Sequence, residues 1–192
     1  MRIIVGITGA SGAVYGVALL RALASLGHEV HCTVSAYGWK VLEHECSLAE
    51  KDIRPLVARL HPVADLAAPI ASGAFRADAM AIAPCSMRTL AAVAGGLADN
   101  LVCRSADVML KERRNLVLAV RETPLSPIHL ENMLKLSRSG AAIVPACPAF
   151  YHHPATIDDL VAAYTGRLLD CLRVANDLAP RWQGWDGRAI GR

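Results

Sequence analysis

Ile3-Ile4-Val5-Gly6-Ile7-Thr8-Gly9-Ala10-Ser11-Gly12 is the stretch on which the fold turns. From Ile3 to Ile7 nothing polar interrupts the run, which reads as a strand buried on both faces. Glycines then make a turn, and the apolar spacing lengthens to that of a helix carrying Val17, Leu19, Leu20, Leu23 and Leu26, stopped at Gly27. A doubly covered strand that feeds directly into a helix is the opening of a βαβ unit, and such units build parallel sheets.

The same alternation continues outward. Glu29 to Val34 reads as a second strand and Ala36 to Glu45 as a short helix, followed by a segment through Arg59 without clear period. Asp78 to Ala83 is a third strand, ended by Pro84. Helices are predicted over Met87 to Ala94, Leu101 to Lys111 and Ile128 to Leu136, with strands at Leu116 to Val120 and Ala141 to Val144. A last helix runs from about Ile157 to Leu172, with Thr156 as its N-cap and Ile157, Leu160, Val161, Tyr164, Leu168 and Cys171 on one stripe. The expected fold is α/β: a doubly wound, mostly parallel sheet with helices on both faces, a Rossmann-like or flavodoxin-like three-layer sandwich. Ligands then belong at the carboxyl ends of the strands.

Composition agrees with one domain over residues 1–192, with a flexible tail after Trp185. Apolar residues make up 54% of the chain and aromatics only 5%, so Ala, Val and Leu must fill the core. That apolarity also points to buried subunit contacts. The net charge of +3 is dispersed apart from Lys111, Arg113 and Arg114, which leaves no footprint for nucleic acid. Six cysteines show no C-x-x-C spacing and no zinc-like pairing with histidine, so no metal is expected and the thiols read as reduced and mostly buried. With no basic leader and no apolar run of membrane length, the expected location is the cytoplasm, with no membrane partner.

Several residues carry candidate chemistry. The turn Gly9-Ala10-Ser11-Gly12 presents glycines and a hydroxyl at a helix N-terminus, which suits a phosphate. Its spacing is not the dinucleotide fingerprint, and Ser35 stands where that fingerprint needs an acid, so a mononucleotide fits better. The plainer account is a turn that only lets helix and strand pack. A second strand-turn-helix at Ala83-Pro84-Cys85-Ser86-Met87-Arg88-Thr89 offers another such terminus, or an ordinary N-cap with Arg88 on the surface. Arg104 and Lys111 lie on one helical face and suit a shared anion, or form a surface ladder with Asp107. Arg121 and Glu122 end the fourth strand at the ligand edge. Glu45 shares a face with Val41 and Leu42, where desolvation would raise its pKa toward values useful for proton transfer, unless it ends a solvated helix. Arg167 sits beside Tyr164 at the margin of an apolar stripe, a costly place for a charge unless an anion meets it or it snorkels to water.

Taken together, Gly9-Ala10-Ser11-Gly12, Pro84-Cys85-Ser86-Met87, the run Ala106 to Arg114, Arg121-Glu122, Ile128 to Leu134 and Phe150-Tyr151-His152 resemble the UbiX-type flavin prenyltransferases, from about Met1 to Trp182. The resemblance implies an enzyme that joins the dimethylallyl group of dimethylallyl phosphate to reduced FMN and releases phosphate without a metal. Its product, prenylated FMN, would pass to a UbiD-type decarboxylase. By the same resemblance FMN contacts Gly9, Ala10, Ser11, Ser35, Ser86, Met87, Arg88, Thr89 and Arg121. The prenyl phosphate contacts Lys111, Tyr151 and Arg167, with Arg104 as a further partner and Trp182 as an aromatic wall. Glu45, Glu122, Lys111 and Ser11 carry the chemistry, the two glutamates sharing proton movement. Relatives of this kind are homododecamers.

Two departures from the family pattern, Ala74 and Tyr37-Gly38-Trp39, are expected near the pocket. A related flavoprotein that decarboxylates cysteine conjugates carries a P-x-M-N segment, where this chain has Pro124-Leu125-Ser126-Pro127. Direct decarboxylation of aromatic acids and simple flavin carriage are the other readings.

Overall fold

A computed structural model describes residues 1–184, and the tail expected after Trp185 lies outside them. Six strands form one sheet: β1 (Arg2–Ile7), β2 (Glu29–Val34), β3 (Arg59–His61), β4 (Ala79–Cys85), β5 (Asn115–Val120) and β6 (Ala142–Ile143). Their order is β3-β2-β1-β4-β5-β6, and every pairing is parallel. Seven helices connect them: α1 (Ala13–Ser25), α2 (Ala36–Cys46), α3 (Glu50–Ile53), α4 (Met87–Gly95), α5 (Leu101–Lys111), α6 (Pro127–Arg138) and α7 (Ile157–Cys171). The doubly wound architecture is therefore the one the alternation predicts.

The period of two in each strand separates two cores. Ile3, Val5, Ile7, Ala79, Ala81, Ala83, Val117 and Ala119 face α1 and α7, meeting Val17, Leu20, Leu23, Tyr164 and Leu168. Ile4, Met80, Ile82, Leu116, Leu118 and Val120 face the other way, onto Leu90 of α4 and Val102 and Met109 of α5. Each large side chain buried this way stabilises the fold by roughly 1.5–3 kcal/mol.

Three boundaries differ from expectation. At the end of the stretch with no clear period a sixth strand begins, β3, of only three residues, whose Arg59 and His61 hide it from any apolar pattern. β4 continues through Pro84 to Cys85, because its register with β5 shifts between Ile82 and Cys85 and so asks no ladder donor of the proline. β6 shrinks to two residues.

One polar track runs through the second face. His31 stands between Glu29 (Nε2 to Oε1, 3.0 Å) and His61 (Nδ1 to Nε2, 2.9 Å), and Arg2 closes on Glu29 at 2.9 Å. A carboxylate only accepts, so His31 Nε2 donates to it. With both rings neutral His61 Nε2 then donates to His31 Nδ1, and His61 Nδ1 has no partner among the described residues.

On the outside, α6 buries only Leu136 and exposes Ile128, Leu130 and Leu134, with Leu125 just before it. Its inner side packs on α4 and β6, while the exposed apolar face has no partner among the described residues.

Candidate active site

The sheet order reverses between β1 and β4, so the crevice for a ligand opens between the turns that follow them. In the first turn Gly12 is the N-cap of α1 at φ 99°, a left-handed conformation that favours glycine, and it has no side chain with which to cap. The cap comes from α2 instead. Glu45 Oε2 accepts the amides of Gly12 at 2.8 Å and Ala13 at 2.9 Å.

This arrangement reverses the expected effect on Glu45. Partial burial pushes its pKa up, but the Ser11 hydroxyl, the two amides and the positive charge of Arg121 outweigh burial and hold the carboxyl below its ordinary value. Glu45 is an ionised acceptor coupled to Ser11, and the N-terminus of α1 already holds an anion.

The second turn leads to α4, where Ser86 Oγ accepts the Thr89 amide at 3.3 Å and lies 3.1 Å from Thr89 Oγ1. A single side-chain cap leaves other first-turn donors of a helix to be met from outside it. Met87 and Thr89 are buried, whereas Arg88 pairs with Asp99 on the surface at 2.9 Å. Ser35 caps α2, accepting the Gly38 amide at 3.0 Å, and the next residue but one presses on the first turn: a Cβ added at Gly9 would lie 2.5 Å from Tyr37 Cβ. Tyr37 thus stands beside the crevice, as expected of that departure.

Arg121 enters from the end of β5 against Gly12, and its amide donates to Cys85 O at 3.3 Å. Glu122 follows it and is exposed, accepting the Thr123 amide at 3.0 Å. Both residues follow the carboxyl end of β5, on the sheet edge where the two turns arrive.

A cleft of about 440 Å³ lies beyond this edge, between α7 and the segment after it. Tyr151, Arg167 and Trp182 line it; Tyr151 donates to Pro180 O at 3.1 Å and meets the Trp182 ring edge-on at 5.5 Å. Its floor is the fork of Arg181 on Asp170, at 2.7 and 2.8 Å. Tyr164 forms the inner wall and packs against Tyr15 of α1 with ring centroids 4.6 Å apart, which connects the cleft to Gly12.

Arg104 and Lys111 are not part of this cluster within one chain. Both lie on α5, across the sheet from α7, and Lys111 falls just before Asn115, at the end of the sheet opposite the two turns. They do not share an anion either. Arg104 binds Asp107 at 2.7 Å and the Ala71 carbonyl at 3.0 Å, while Lys111 pairs with its neighbour Glu112 beside Gly73. Helical spacing aligned the two cations but could not reveal that carboxylates take each one. Ala74 belongs to this remote end too, since Arg114 donates to Gly73 O at 2.7 Å, so within one chain it is not near the crevice.

The sequence reading missed Thr8, Tyr15 and Tyr164 as parts of the site. A hydroxyl at the end of β1 was the available signal for the first; the aromatic contact depends on α1 and α7 meeting, which no local pattern states.

The free first turn of α4 at the switch point, Arg121 beside the capped turn of α1 and a cleft alongside are the features of a mononucleotide-binding α/β protein. Comparison with known proteins narrows this. The flavoprotein family model matches residues 1–169. A probable UbiX-like flavin prenyltransferase of Escherichia coli O157:H7 is 51% identical over 96% of this chain and 94% of its own. The crystal structure of AnUbiX in complex with FMN and dimethylallyl pyrophosphate superposes with a TM-score of 0.94 at 47% identity, covering 96% of this chain and 98% of that one. A dodecameric FMN-dependent UbiX-like decarboxylase from Escherichia coli O157:H7 gives 0.93 at 51% identity, covering 96% and 100%. The chain belongs to the flavoprotein family, among its UbiX-type flavin prenyltransferases.

Proposed function

We propose that this protein is a metal-independent flavin prenyltransferase that joins the dimethylallyl group of dimethylallyl phosphate to reduced FMN. The observation that carries this reading is the Glu45 carboxylate held by the amides of Gly12 and Ala13, next to Ser11 at the mouth of the crevice, with Tyr15 and Tyr164 leading from there to a cleft lined by Arg167. A carrier of flavin needs no proton acceptor there, and a carrier needs no second cationic cleft.

Since Glu45 satisfies α1, the flavin phosphate falls to the first turn of α4, with Ser86, Met87, Arg88 and Thr89 around it. Gly9, Ala10, Ser11, Ser35 and Arg121 line the rest of the flavin site. Reduced FMN supplies an electron-rich ring as nucleophile. Arg167 and Tyr151 hold the departing phosphate, stabilising charge that grows as the allylic C–O bond breaks. Trp182 shields the allylic cation from water. Glu45, through the Ser11 hydroxyl, takes up the proton released during ring closure, and Glu122 serves the proton on the phosphate. Arg104 and Lys111 join the phosphate site from a neighbouring copy in a homo-oligomer, with the apolar face of α6 among the subunit contacts. A dodecamer like that of the relative suits this. We place the enzyme in the cytoplasm, handing prenylated FMN to a UbiD-type decarboxylase.

The test is anaerobic incubation of the purified protein with reduced FMN and dimethylallyl phosphate or diphosphate, followed by mass spectrometry of the flavin. A flavin heavier by one dimethylallyl-derived unit is expected. Unchanged flavin with both donors refutes the transferase reading, and turnover of 4-hydroxybenzoate by the same protein favours a decarboxylase.

A further inference from the structure

We propose that Thr8 is a positioning residue for the flavin site, its hydroxyl fixing the turn after β4 against the turn after β1. The proposal rests on the flavin reading above and deepens it. Thr8 is only 1% exposed, so it touches no ligand and acts through its neighbours.

The geometry leaves its hydroxyl no freedom. The Ser86 amide donates to Thr8 Oγ1 at 2.8 Å, and Thr8 Oγ1 donates to the Pro84 carbonyl at 2.7 Å. An N–H can only donate and a carbonyl only accept, so both roles of the hydroxyl are fixed. The Thr8 amide adds a longer bond to the same carbonyl at 3.3 Å.

On the β1 side these bonds stand where the sheet ladder has given out. Regular pairing of β1 with β4 ends at Gly6 and Ile82, and β4 then shifts register against β5 before Cys85. Pairing with β5 resumes at Cys85, through the Arg121 amide, but no regular pairing with β1 reaches Ser86. The Thr8 hydroxyl does, and Ser86 in turn caps α4 at Thr89. Moving Ser86 by a few tenths of an ångström would turn the first-turn amides of α4 away from a bound phosphate, and hydrogen bonds weaken steeply with angle. A valine has nearly the shape of threonine but would leave the partly buried Ser86 amide without its acceptor.

The test is FMN affinity, followed by flavin fluorescence, together with KM for dimethylallyl phosphate, in wild type, Thr8→Val, Thr8→Ser and Val30→Ala. Val30 is equally buried, on β2, and serves as a control for general destabilisation. Thr8→Val should raise the Kd for FMN about tenfold or more, leave KM for the prenyl phosphate within about twofold, and show its defect at temperatures where the chain is fully folded. Thr8→Ser keeps the hydroxyl and should stay within about twofold of wild type. Should Thr8→Val fail to fold, Thr8→Cys, whose thiol is too weak to hold both partners, is read in the same way. The proposal is overturned if Thr8→Val binds FMN like wild type, if Thr8→Ser loses as much as Thr8→Val, or if Val30→Ala loses affinity equally. Wild-type protein that binds no FMN overturns the flavin reading itself, which the other outcomes leave intact.

Discussion

Glu45 caps a helix to which it does not belong: its Oε2 accepts the amide of Gly12, thirty-three residues earlier, at 2.8 Å. The contact gives the first turn of α1 the anion that Gly12 cannot supply, and it holds a carboxylate ionised beside Ser11. The structural role and the proposed chemical role meet in one side chain, and they can be separated by substitution.

Glu45→Gln keeps an oxygen for the amides but cannot accept a proton. Prenyl transfer should fall by about 10²-fold or more, with FMN affinity nearly unchanged. Because the folded pKa is lowered, the contribution of Glu45 to stability is complete above the usual glutamate value of about 4.3 and is lost as pH falls through it toward the folded value. Thermal melts from pH 6 to pH 3 should therefore differ between wild type and Glu45→Gln mainly at the upper end. Equal activity of the two proteins would remove Glu45 from the chemistry.

Arg167→Ala and Tyr151→Phe should raise KM for dimethylallyl phosphate, the first by about tenfold or more, while leaving the Kd for FMN unchanged. Steady-state kinetics beside a flavin titration checks this. A loss confined to FMN binding would put the cleft to another use.

Lys111 and Arg167 lie on opposite faces of the sheet, so a clamp using both must span two copies of the chain. At a donor concentration well below the wild-type KM, Lys111→Ala and Arg167→Ala should each show little activity alone. Dissociated, mixed and reassembled, the two variants should regain activity at about a quarter of their sites, the share that receives both cations. No recovery in verified mixed assemblies would exclude Lys111 from the clamp.

Ile128→Glu with Leu134→Glu, on the exposed face of α6, should lower the assembly mass measured by light scattering with little change in circular dichroism. An unchanged mass would mean that α6 lies outside the subunit contacts.

His61 tests the polar track. Burial, with help from His31 and Arg59, pushes its pKa down to about 4. A His kept neutral by folding contributes stability that is complete above the unfolded value of about 6.5 and disappears as pH falls from there to about 4. Wild type should lose on the order of 1–3 kcal/mol across that window, and His61→Gln much less, in denaturant titrations at fixed pH. Parallel curves for the two proteins would show that another group titrates.

Ile3 to Ile7 and the helix after them were enough to state a parallel, doubly wound sheet, because burial on both faces leaves an uninterrupted apolar run that only such sheets need. The glycine turns, Arg121 and the cleft residues Tyr151 and Arg167 were legible for a related reason: strand ends and motif blocks are local, and strand ends converge on one edge. Arg59 to His61 escaped notice, being too short and too polar to show a period.

What lies between distant segments was set by tertiary structure alone. Helical spacing put Arg104 and Lys111 on one face, yet which face of the sheet that helix would cover is decided by the right-handed crossover and by packing. The side-chain rule that burial raises a carboxyl pKa was sound for Glu45, but its sign was overturned by amides from a helix brought to it only by folding. The amino-acid sequence by itself determined most of the elements and the sheet edge on which the glycine turns gather, because those depend on local period. Partners, and with them charge states, were decided only when the folded chain placed remote atoms within hydrogen-bonding distance.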